Sequence, residues 1–196
     1  MREVLIATTN PGKLREIRHI LRDVPYALKT LADFPTLQAP EETGMSFAEN
    51  AKQKALYYAC ATGMLAMAED SGFEVDALGR EPGIHSARYL REDASYSERF
   101  NDIYTRVRKS GASELSARFV CALAVAKGSE IDFETSATVE GSLALAPAGP
   151  NGFGYDPIFF YPPYGRTFGE VSDAEKIAVS HRGQAIRAFG AYLLRG

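Results

Sequence analysis

Residues 3–8 (EVLIAT) form a short apolar run rich in β-branched side chains, and Thr9-Asn10-Pro11 cuts it off at once. Such a run reads as a buried strand. Asn followed by Pro reads as a helix cap with proline at the first helical position, where its missing N–H costs little. Leu14, Ile17, Ile20 and Leu21 then recur at helical spacing. The chain therefore opens strand–turn–helix, with Thr8, Thr9, Asn10 and Gly12 at the turn.

Further along, Ser46 with Glu49 has the spacing of a capping box, opening a helix that stops at Gly63 in the C′ position. Residues 64–68 read as another short buried strand, ended by Glu69-Asp70-Ser71-Gly72. Ser95 and Glu98 open a helix to about Lys109, and residues 118–126 and 130–141 read as two strands around a Lys127-Gly128-Ser129 turn. Ser172 and Glu175 make a third capping box, and the terminal helix carries Ile186, Phe189, Tyr192 and Leu193 on one face. Alternation followed by a hairpin predicts an α/β chain, a mixed β-sheet with flanking helices. The 196 residues show no repeat, low-complexity segment or linker, and are expected to form one domain.

Composition narrows the partners. With 45 % hydrophobic and 24 % charged residues the chain matches the soluble globular average. A net charge of −3 argues against a broad nucleic-acid footprint, but not against a compact basic pocket for one polyphosphate. No apolar run approaches the roughly 18–20 residues of a membrane span. The first residues lack the apolar core of a secretion signal, so a cytoplasmic protein is expected. Cys60 and Cys121 both lie in apolar stretches and read as lone buried thiols.

Four clusters carry the chemistry. Thr8-Thr9-Asn10-Pro11-Gly12-Lys13 enters a helix, where free N–H groups and the positive dipole end suit phosphate; an ordinary Asn-Pro cap would look the same. It is not a P-loop, because Ala7 and Leu14 stand where glycine and a magnesium-binding hydroxyl belong. Glu41-Glu42 precede the second helix and Glu69-Asp70 follow it, so the two acid pairs are expected near one end of the sheet, either holding a cation or solvated in loops. Ser180-His181-Arg182, with Lys176 one turn earlier, is a cationic cluster suited to phosphate or to a base edge, or else a surface pair. Phe153-Gly154-Tyr155-Asp156 offers aromatic faces for a base beside an acid, or a tight turn with core aromatics. His19, His85 and His181 lack metal-ligand spacing, and no GxSxG elbow occurs.

Together these segments resemble the inosine triphosphate pyrophosphatases. The resemblance rests on residues 7–17 (ATTNPGKLREI), 41–55 (EETGMSFAENAKQKA), 68–89 (AEDSGFEVDALGREPGIHSARY), 152–162 (GFGYDPIFFYP) and 175–185 (EKIAVSHRGQA), and spans nearly the whole chain. It implies an elongated sheet with two lobes around a central nucleotide-binding cleft, a homodimer, and Mg²⁺-assisted hydrolysis of ITP, dITP or XTP to the monophosphate and pyrophosphate. By the same resemblance, Thr8 through Lys13 and Lys54 would hold the triphosphate. Glu41 and Asp70 would bind Mg²⁺, with Asp70 also the base and Glu69 a further metal neighbour. Ser71 would touch substrate, and Phe153 and Tyr155 would sandwich the purine, with Gly154 and Asp156 completing the loop. Lys176, His181 and Arg182 would read the base. Glu69 departs from the aspartate common in bacterial members, and Pro11 falls at a variable position. The competing readings are a pyrophosphatase for modified pyrimidine nucleotides, a nucleotide-sensing module without turnover, and a nucleic-acid-binding domain.

Overall fold

A computed structural model describes residues 2–195. Its elements are β1 (Arg2–Ile6), α1 (Pro11–Ile20), β2 (Tyr26–Thr30), α2 (Phe47–Thr62), β3 (Ala66–Val75), β4 (Glu81–Pro82), α3 (Tyr96–Ser110), β5 (Ser116–Lys127), β6 (Glu130–Leu143), β7 (Phe159–Tyr161), β8 (Arg166–Thr167), α4 (Asp173–Val179) and α5 (His181–Arg195). The strands make a mixed sheet in the order β2-β1-β3-β5-β6-β7-β8, with β4 paired to β3. β1 runs parallel to β2 and to β3, where Leu5 faces Ala66 and Ile6 faces Met67. The β3–β4, β6–β7 and β7–β8 pairings are antiparallel. Among the described residues no helix is long and apolar enough to cross a membrane.

The chain divides into two compact units: Met1–Asp70 with Cys121–Ala137 and His181–Gly196, and Ser71–Val120 with Thr138–Ser180. Three of the four crossings fall inside β3, β5 and β6, where the backbone is strand, and the fourth lies between α4 and α5.

In the first unit, parallel pairing of β1 and β2 requires a crossover, which α1 supplies. Ile17 and Leu21 of that segment meet Ile186, Phe189 and Leu193 of α5 over Val4, Ile6, Met67 and Leu123. Each such side chain contributes about 1.5–3 kcal/mol by leaving water. Set into this apolar face is an ion cluster. Arg182, at the start of α5, donates from Nε to Glu69 Oε1 at 2.7 Å and from Nη1 to Glu16 Oε2 at 2.9 Å, linking α5 to β3 and α1. Glu69 is 3 % exposed. Burial opposes its ionisation, but the Arg182 and Lys13 charges outweigh it and hold the carboxyl far below its ordinary value of 4.5.

The second unit has its own core, built on aromatics: Phe73, Phe119, Phe159 and Phe168 pack with Ile103, Val139 and Ile158. The segment before β7 is laced to the segment after β8. Asn151 N–H donates to Gly169 O and Gly169 N–H to Asp156 O, at 2.9 and 3.1 Å. Gly149 has φ +85°, and a Cβ there would collide with the Gly169 backbone.

Several expectations need correction. β3 does not stop at residue 68 but runs through Glu69-Asp70-Ser71-Gly72 to Val75, because both carboxylates find buried partners inside the fold. The Ser95–Glu98 and Ser172–Glu175 capping boxes close reciprocally. At α2 only Ser46 caps, and the Glu49 carboxylate accepts from Met45 N–H instead. Cys121 is buried, but Cys60 is exposed, its helix turning that position outward. As the helix start read at His181 implies, α4 ends at Ser180, whose backbone is extended, and α5 begins at His181.

Two outcomes follow. Gly128 also has positive φ but faces open space, so Gly128→Ala should cost about 1–2 kcal/mol. Gly149→Ala, where backbone must move, should cost more, on the order of 3 kcal/mol; equal urea midpoints for the two variants would show that the Gly169 contact constrains nothing. Arg182→Met leaves two buried carboxylates without their guanidinium and should cost about 3–5 kcal/mol at pH 7. The depressed Glu69 value means the folded chain binds fewer protons than the unfolded chain around and below pH 4.5, so this ion cluster stabilises fully at neutral pH and progressively less as acid is added. The gap between wild type and Arg182→Met in urea unfolding should therefore narrow between pH 7 and about pH 4, and a gap that stays constant would contradict it.

Candidate active site

In the first unit the turn after β1 behaves as a helix entry. Asn10 caps α1, its Oδ1 accepting from Lys13 N–H at 3.1 Å, and Asn10 N–H donates to Thr8 Oγ1 at 3.2 Å. Pro11 occupies the first helical turn. Thr9, Asn10 and Pro11 are exposed, Thr8 and Lys13 half-buried and Gly12 buried. The result is a solvent-facing helix N-terminus whose first N–H groups lack intrahelical acceptors. Lys13 Nζ lies 3.6 Å from Glu69 Oε1, which places one cation beside that turn.

The acids sort differently from expectation. It is Glu42, not Glu41, that reaches inward: Lys54 Nζ donates to Glu42 Oε1 at 2.5 Å and lies 3.5 Å from Asp70 Oδ1. Glu41 is exposed. The one-residue difference was open to sequence reading only through two adjacent, identical acids. Asp70 is 7 % exposed. Burial raises its pKa above the ordinary value, and the pull of Lys54 and of the Asn50 hydrogen bond reduces the rise without cancelling it. For Lys54, burial disfavours its charge, but Asp70 and Glu42 more than compensate and its pKa rises as well.

Whether this group suits Mg²⁺ can be judged from the lysine. One positive atom already draws Glu42 and Asp70 together. Two convergent carboxylates with substrate phosphates completing the shell are a common Mg²⁺ donor set. Among the described residues no three or more His, Cys, Asp or Glu side chains converge as a ready-made metal cage. Glu69, expected as a further metal neighbour, is instead engaged by Arg182, by Lys13 and by the Cys121 thiol, which donates at 3.0 Å.

Arg182 is buried. Two of its guanidinium nitrogens donate to Glu69 and Glu16 in the interior, which fixes the carboxylate beside Lys13. His181, its neighbour at the start of α5, is also buried.

The second unit begins at Ser71, half-buried on β3, and holds the aromatic loop. Asp156 organises that loop: its Oδ2 accepts from Phe153 N–H at 2.8 Å and from Lys176 Nζ at 2.6 Å. Gly152 is required there, since a Cβ would strike the Asp156 carboxylate, and Gly154 has φ +67°. Lys176 Nζ also sits 4.3 Å from the centre of the Phe153 ring. The two rings of the loop differ in exposure. Tyr155 is 4 % exposed, stacks on Phe73 at 5.2 Å and donates its hydroxyl to Ser86 O at 2.8 Å. It is a core residue, and Phe153 is the half-buried ring of the pair.

Three participants escaped the sequence reading: Glu42 as the inward acid, Glu16 as the second partner of Arg182, and Asn50. Asn50 is fully buried on α2 and bonds Asp70 directly. An asparagine inside a helix, four residues past a capping serine, was the signal available for it.

Comparison with known proteins gives the family. The Ham1 family model matches residues 4–192. A dITP/XTP pyrophosphatase of Thermus thermophilus is 47 % identical over 95 % of this chain and 89 % of its own length. One from Exiguobacterium sp. is 40 % identical over 98 % and 97 %. Among solved structures, a HAM1 protein from Coxiella burnetii covers 100 % of both chains at a TM-score of 0.92 and 37 % identity. The Ham1 protein of Staphylococcus aureus covers 98 % of both at 0.86 and 36 %. With the match running from β1 to α5, this chain belongs to the Ham1 family.

Proposed function

We propose that this chain hydrolyses non-standard purine nucleoside triphosphates, dITP, ITP and XTP, to the monophosphate and pyrophosphate. Relatives named dITP/XTP pyrophosphatase at up to 47 % identity support the activity. The observation that carries the chemistry is the Glu42–Lys54–Asp70 cluster, two carboxylates and a cation gathered in a largely buried site.

The reaction is NTP + H₂O → NMP + pyrophosphate, with water attacking the α-phosphorus. Asp70 accepts the proton of the attacking water. Burial raises its pKa, which makes it a stronger base than a solvated carboxylate. Lys54 and Lys13 stabilise charge on the polyphosphate, and the α1 N-terminus with Thr8, Thr9 and Asn10 binds it through N–H and hydroxyl donors. Asp70 with Glu42 or the adjacent Glu41 would hold Mg²⁺, which would supply the charge neutralisation that makes pyrophosphate a good leaving group. Ser71 follows Asp70 on the same strand and is assigned to substrate contact.

Base selection is assigned to the second unit's loop. Phe153 is the stacking surface, and Asp156 with Lys176 sets its attitude. A donor aimed at the C6 keto oxygen of hypoxanthine or xanthine pairs there and opposes the adenine amino group, a difference that can reach roughly 10⁴-fold. A nucleotide-pool enzyme of this kind acts in the cytoplasm, and a homodimer is its proposed assembly.

Two measurements test the reading. With Mg²⁺ present, ITP, dITP and XTP should each release pyrophosphate and monophosphate rapidly, while ATP, GTP and dTTP release little; orthophosphate would move attack to the γ-phosphorus, and turnover of pyrimidine nucleotides alone would favour the neighbouring class of pyrophosphatase. Asp70→Asn should nearly abolish kcat while nucleotide binding remains measurable by calorimetry, and a variant keeping more than about a tenth of wild-type kcat would remove Asp70 as base.

A further inference from the structure

Asn50 is a fully buried amide on α2, in a protein interior where an unsatisfied polar group is costly. Both ends of the amide are used. Its Oδ1 accepts from Gly44 N–H at 2.8 Å, and its Nδ2 donates to Asp70 Oδ2 at 3.0 Å. These partners fix the orientation of the amide, because a backbone N–H can only donate and an ionised carboxylate can only accept. A Cβ on Gly44 would press against Asn50 Oδ1 and Glu49 Cβ, so glycine at 44 belongs to the same arrangement.

We infer that Asn50 is a positioning residue for the hydrolytic centre: a single amide ties the Glu42 loop to Asp70 and selects which Asp70 oxygen faces the reaction. The inference rests on the assignment of Asp70 and Glu42 above. A carboxylate turns readily about its last torsion, which is broad and roughly two-fold, so burial alone does not decide which oxygen points where. Asn50 holds Oδ2, leaving Oδ1 on the Lys54 side, 3.5 Å from Nζ. Its other arm anchors the backbone two residues past Glu42, whose carboxylate meets the same Nζ at 2.5 Å. Both acids are thus referenced to one rigid point on a helix, and a base displaced by about 1 Å can lose on the order of 100-fold in rate.

The test compares wild type with Asn50→Asp and Asn50→Leu, measuring kcat and KM for dITP by pyrophosphate release and Tm for each protein. Asn50→Asp keeps the shape and the Gly44 acceptor but loses the donor to Asp70; Asn50→Leu loses both bonds. The expected result is a kcat fall of roughly 100-fold in either folded variant with KM within about threefold of wild type. A purely structural asparagine would lower Tm and leave kcat per folded molecule intact, and that result overturns the inference. If Asn50→Leu fails to fold, Asn50→Asp decides. Wild-type protein that releases no pyrophosphate from any purine triphosphate overturns the function reading and this inference with it. An active wild type with undiminished kcat in Asn50→Asp overturns this inference alone.

Discussion

Glu69 and Asp70 are consecutive residues of β3, and a strand sends consecutive side chains to opposite faces. Much of the first unit follows from that alternation. Glu69 points with Met67 toward the face where α1 and α5 pack, and meets Lys13, Arg182 and Cys121. Asp70 points to the other face and meets Asn50 and Lys54 of α2. A buried carboxylate without partners would be neutralised or expelled. Each face therefore needs a helix bearing a donor at the right height, and the sequence has one on each side.

The two acids have different electrostatic fates. Glu69 is held ionised against burial by a guanidinium and an ammonium, so it serves as a fixed charge that links helices and steadies Lys13. Asp70 receives a neutral amide and a shared lysine, and burial leaves its pKa raised. Two neighbours on one strand thus become a structural anion and a candidate base through their partners alone. The second unit has its own buried carboxylate, Asp156, which accepts from Phe153 N–H and Lys176 and so shapes a loop.

Residues whose chemistry is local were legible from the chain alone. The Asn10-Pro11 cap, the Ser95 and Ser172 boxes, Gly63 as helix terminator and the glycine-rich loop at 149–154 each depend on neighbours within a few positions, and each stands where spacing put it. What misled were positions whose meaning is set at long range. Glu69-Asp70-Ser71-Gly72 looks like a strand end because charged and small residues usually are one, yet here the charges are answered from residues far away in the chain. For Tyr155 the sequence left a stacking ring and a core aromatic both open, and only the fold shows it packed on Phe73 with its hydroxyl on Ser86 O.

The sequence by itself determined the alternation of strands and helices, the family and its activity class, and the set of side chains from which a site is drawn, because periodicity, caps and segment identity are written in local order. Tertiary structure decided which of those side chains do which work. Adjacent acids at 41 and 42 are equivalent on paper, and the backbone path places the second beside Lys54. Arg182 reads as a free cation in a helix start until Glu16 and Glu69 are found around it. Ionisation, burial and hydrogen-bond partnership depend on distance in space, and only the packed fold sets those distances.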